Sequence, residues 1–77
     1  MTYLELVEKE LTIAGKSLTI NEILTNAEKD GTLSQIPTIG KTPQKTINAL
    51  LHRDIAKGSD ARFVQTSTRP AKFDLNK

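Results

Sequence analysis

The chain contains no cysteine. Neither a disulfide framework nor a thiolate metal site supports the fold, so its stability has to come from packing. No apolar run approaches the roughly 20 residues that a transmembrane helix requires. The first ten residues carry three glutamates and lack the basic start and continuous apolar stretch of a secretory signal. By default a cytoplasmic or nuclear location is expected. There is one histidine, and there is no glycine-rich phosphate loop, nucleophile elbow or carboxylate cluster with metal spacing. A metal centre or a histidine-based catalytic arrangement would lack its usual partners. The expectation is therefore a binding domain, with no cofactor and no enzymatic activity of its own. Internal repeats, low-complexity tracts and interdomain linkers are absent as well.

What is present fits one small domain. The 77 residues are 36% hydrophobic and 26% charged, values of a soluble globular chain. A chain this short buries only about 60 to 65 per cent of its unfolded surface, so its core must be simple. The net charge of +2 is too mild to imply a polyanionic partner, but its distribution says more. Up to Thr38 there are three basic residues (Lys9, Lys16, Lys29) against six acidic ones, a net −3. From Ile39 onward eight basic residues stand against three acidic (Asp54, Asp60, Asp74), a net +5. Such a division suggests one half facing a polyanion and one turned away; the plainer alternative is solubilising charge that happens to segregate.

Thr2-Tyr3-Leu4-Glu5 has the pattern of a capping box, which predicts a helix start. Leu4, Val7, Leu11 and Ala14 then form its apolar stripe, and Gly15 supplies a left-handed stop. Thr19 and Glu22 make a second capping box, with Leu18 and Ile23 at the two positions of a hydrophobic staple. In this second helix Ile20, Ile23, Leu24 and Ala27 form the buried face, and Asp30-Gly31 ends it. Thr32 to Lys41 holds Pro37 and Gly40 without periodicity and reads as a loop of about ten residues. Thr42-Pro43 opens a third helix that runs to about Lys57, with Ile47, Leu50, Leu51 and Ile55 on one side and Gly58 closing it. Thereafter Arg62 to Thr66 and Ala71 to Leu75 read as two strands joined by a polar turn, with Phe63, Phe73 and Leu75 packing onto the helices. The order of helix, short extended segment at Leu18, helix, loop, helix and hairpin is that of an α+β winged helix-turn-helix. The expected architecture is three helices followed by a two-stranded wing, with a short strand before the second helix, in a single domain over residues 1–77.

At Gly40-Lys41-Thr42-Pro43, Leu51-His52-Arg53-Asp54-Ile55 and Arg62-Phe63-Val64 the sequence resembles the HARE-HTH family. This is the winged helix-turn-helix of certain restriction endonucleases and ASXL-type chromatin regulators. The similarity extends to Thr2-Tyr3-Leu4, to the Ala14-Gly15-Lys16 and Leu18-Thr19 junction, to Glu22-Ile23-Leu24 and to Lys72-Phe73, and so covers nearly the whole chain. The resemblance implies a DNA-reading accessory domain, often fused to a nuclease or to a chromatin-associated catalytic region, some members being credited with sensing modified bases. The loop before the third helix is longer here than the tight turn of simple helix-turn-helix proteins.

If the third helix buries its apolar side, the opposite face presents Lys45, Asn48, Ala49, His52 and Ala56, with Gln44 and Arg53 at its margins. Asn and Gln can pair with adenine, Lys with guanine acceptors, and Ala49 is small enough for close approach or for a thymine methyl. The plain alternative is a solvated helix face. Lys41 and Thr42 stand at the N-terminus of that helix, where free N–H groups favour phosphate, although capping alone accounts for Thr42. Arg69 and Lys72 flank the hairpin turn as backbone-contacting cations of a wing, or as a solubilised turn. By helical phase Asp54 lies toward the buried side, where a structural hydrogen bond or ion pair is expected of it rather than a contact with DNA, and Arg62 belongs to the same structural set. The leading expectation is duplex DNA as the partner, with a nuclease domain fused or associated. The alternative is a winged helix that docks onto RNA polymerase or a chromatin complex without touching DNA, through its acidic first two helices.

Overall fold

The computed structural model describes residues 2–36 and 43–76. The order of elements is α1 (Tyr3–Ala14), β1 (Leu18–Thr19), α2 (Ile20–Lys29), α3 (Pro43–Ile55), β2 (Phe63–Thr68) and β3 (Ala71–Leu75). Short 3-10 turns lie at Leu33–Gln35 and Gly58–Asp60.

Both capping boxes form. The Glu5 amide donates to Thr2 Oγ1 at 3.2 Å, and the Thr2 amide donates back to Glu5 Oε1 at 3.2 Å. At α2 the reciprocal pair between Thr19 and Glu22 measures 3.0 and 3.1 Å. Each box satisfies amides that a helix start would otherwise leave without partners. Leu18 and Ile23, the staple pair, are both buried. Gly15 ends α1 with φ +66°, a left-handed conformation that a side chain would strain.

The face that α1 buries differs from the expected stripe. Leu6, Val7, Glu10 and Leu11 are buried, while Leu4 and Ala14 are only half covered. The reason is that α1 packs against α2, α3 and β3 at once, which requires a wider apolar face centred one position away from Leu4. In α3 the buried residues are Ile47, Leu51 and Asp54, with Leu50 and Ile55 half covered at the flanks. The stretch read as a structureless loop begins instead with the 3-10 turn at Leu33–Gln35, entered from a fully buried Thr32.

The wing is not a free two-stranded hairpin. The three strands form one antiparallel sheet in the order β1-β3-β2, with β3 in the centre. Leu18 pairs with Phe73 and Thr19 with Lys72 on one side of β3; Phe63 pairs with Leu75 and Gln65 with Phe73 on the other. An isolated hairpin is marginal in water, and the third strand secures the base of this one while Phe63 and Phe73 bury completely against the helices. The core joins Leu6, Val7 and Leu11 of α1 to Ile23 and Leu24 of α2, Ile47 and Leu51 of α3, and the two phenylalanines.

Candidate nucleic-acid interface

Where α3 leaves the core its outer face is open. Gln44, Lys45, Asn48, Ala49, His52 and Arg53 are all exposed. The third helix is held at its far end by Asp54, whose Oδ2 accepts the amides of Arg62 and Phe63 at the root of β2. Arg62 thus belongs to this anchor through its backbone, and its guanidinium lies 3.9 Å from Glu8 of α1. The His52 ring meets the edge of Phe73 in a T-shaped contact with centroids 6.3 Å apart, a second link between α3 and the sheet.

These restraints set α3 beside the hairpin turn and leave an open cleft of about 370 Å³ between them. Gln44, Lys45 and Asn48 line it from α3, and Pro70 and Ala71 from the turn. Its third wall is the first turn of α2, through Ile20 and Asn21. The structure therefore brings three of the candidate α3 side chains to the wing. Ala49, His52 and Arg53 continue along the exposed helix surface outside the cleft, and Arg69 is exposed in the turn beside Pro70. Lys72 is half buried in β3 and, by the two-residue alternation from Phe73, faces the outer side of the sheet. There it lies within electrostatic reach of Glu22, whose carboxyl is held below the usual range chiefly by the Thr19 amide it accepts from. Lys41 and Thr42 lie outside the described residues.

The α2 wall of the cleft has no counterpart in the sequence reading. Thr19 identifies where α2 begins, but only the pairing of β1 with β3 brings that beginning next to Pro70 and Ala71. Among the described residues no group of three or more His, Asp or Glu side chains is placed to hold a metal ion. None of the described helices is long and apolar enough to cross a membrane.

The family model of HARE-HTH, the helix-turn-helix domain of ASXL proteins and restriction endonucleases, matches residues 1–75. The chain belongs to the HARE-HTH family. HARE-HTH is a helix-turn-helix DNA-binding family, and the three helices and antiparallel sheet of this member are consistent with a winged helix-turn-helix. Neither a curated protein nor a solved structure matches this HARE-HTH chain in the corresponding searches.

Proposed function

We propose that this HARE-HTH domain binds duplex DNA by placing the N-terminal half of α3 in the major groove while the hairpin turn rests on the sugar-phosphate backbone. The observation that carries the proposal is the exposure of Lys45 and Asn48 on the cleft that α3 shares with the Pro70-Ala71 turn. In helix-turn-helix docking the first residues of the recognition helix meet the base edges, and here those are Gln44, Lys45 and Asn48. Arg69, exposed in the turn, supplies a cation to the adjoining backbone. The domain acts without catalysis, as the DNA-recognition part of a restriction-modification or related DNA-processing protein, with the nuclease fused or associated.

The test is a salt titration of binding to a short duplex. Each phosphate contact that is lost should flatten the dependence of log affinity on log salt by about 0.9. Lys45→Ala and Arg69→Ala are expected to weaken binding at low salt, with a shallower slope for each variant that has lost a phosphate contact. Affinity and slope unchanged in both would contradict the proposed docking.

One observation favours the alternative of a protein partner. On the other flank of α3 a larger open cavity of about 1040 Å³ is lined by Tyr3, Glu8, Leu50, Lys57, Arg62 and Leu75. The Tyr3 hydroxyl is buried there without a hydrogen-bond partner. A protein segment seated in that cavity would leave the α3 cleft free.

A further inference from the structure

Gln44 and Asn48 are four residues apart on α3, one turn from each other, and both open on the cleft. A carboxamide carries a donor and an acceptor side by side. That is the complement of adenine N6 and N7 in the major groove, whereas guanine offers two acceptors there and is matched by arginine or lysine.

The wall facing these amides is largely apolar. Ile20, half buried at the start of α2, and Pro70 and Ala71 of the turn make its apolar surface, with Thr19 and Asn21 at its border. A thymine methyl fits the Ile20, Pro70 and Ala71 surface, while a cytosine amino group pressed against those three side chains would lose water without gaining an acceptor from them.

Among the described residues lining the cleft the one cation is Lys45. Its ammonium is a point charge on a flexible stem that reaches a phosphate oxygen as readily as a guanine acceptor, so it selects guanine less sharply than the planar fork of an arginine. Arg53, the arginine of α3, is exposed and outside the lining.

We infer that this cleft is a reader of A·T pairs, with Asn48 on adenine and the Ile20–Ala71 wall on the thymine methyl. The inference rests on the duplex-binding proposal and adds to it the base pair that is preferred.

The experiment is fluorescence anisotropy of the full chain at low salt with labelled duplexes of equal length. One has an A·T centre, one a G·C centre, and one the A·T centre with deoxyuridine in place of thymidine, which keeps the pairing and removes only the methyl. The A·T duplex is expected to bind about fivefold or more tightly than the G·C duplex, and deoxyuridine to lose part of that margin. Asn48→Ala, an exposed substitution whose fold is checked by circular dichroism, should still bind both duplexes in a salt-dependent way but with the preference gone. Equal binding of A·T and G·C by the unchanged protein, or a preference that survives Asn48→Ala, overturns the base-pair assignment and leaves duplex binding standing. Failure to bind any duplex at low salt overturns both.

Discussion

The Asp54 carboxylate sits beneath the start of β2, where its Oδ2 accepts the Phe63 amide at 3.0 Å and the neighbouring Arg62 amide at 2.8 Å. Asp54 is 2% exposed, and its other oxygen is 3.9 Å from the Lys57 ammonium. One side chain of α3 thus fixes the root of the wing. Substituting Asp54 by Ala leaves two amides without acceptors, one of them buried, at a cost of roughly 2 to 4 kcal/mol. Asp54→Asn keeps one acceptor oxygen and should lose less. Urea denaturation of the two variants checks the order; equal stability of Asp54→Ala and the parent chain would remove the anchor from this account.

Burial pushes the Glu10 carboxyl above its ordinary value of 4.5, and Asp30 beside it acts in the same direction. The side chain is 1% exposed and its Oε2 has no hydrogen-bond partner. A group whose folded-state pKa is raised favours folding while it holds its proton. Its contribution is complete below 4.5 and is lost as pH rises through the raised value. Glu5, Glu22 and Asp30 behave oppositely: hydrogen bonds from Thr2, Thr19 and Thr32 hold them below their ordinary values, and their contributions vanish on acidification. Glu10→Gln removes the buried charge at nearly constant shape. It should raise Tm at neutral pH and leave Tm nearly unchanged at about pH 4, where Glu10 is already largely protonated in both states. A Glu10→Gln variant that melts lower at neutral pH would mean that Glu10 is held ionised by Lys9 instead.

Thr19 caps α2 and pairs through β1 with Lys72 of β3. Thr19→Ala removes the cap hydroxyl and should cost about 1 kcal/mol, with Thr19→Ser retaining most of it. Thermal unfolding measures the loss. A second readout is duplex affinity, because Ile20 and Asn21, the cleft wall contributed by α2, follow the cap directly.

What the sequence made legible was local. The boxes at Thr2–Glu5 and Thr19–Glu22 are each written within four residues, so their bonds could be foreseen. The inward phase of Asp54 on α3 followed from its spacing to Ile47 and Leu51. The parts that escaped depend on distant partners. Leu6 rather than Leu4 fills the core because α1 touches three elements, and the short strand expected at Leu18 joins the wing as its third strand because Leu18 finds Phe73, more than fifty positions away. For the same reason the α2 wall of the cleft was invisible, and Lys72, adjacent in sequence to the turn, stands on the outer face of the sheet.

Amide chemical-shift mapping with a short duplex at low salt tests the central claim most directly. Duplex binding through α3 and the wing predicts shifts concentrated at Ile20, Gln44, Lys45, Asn48 and Ala71. Shifts confined to the cavity around Tyr3, Glu8, Lys57 and Leu75, or no shifts at all, would contradict it.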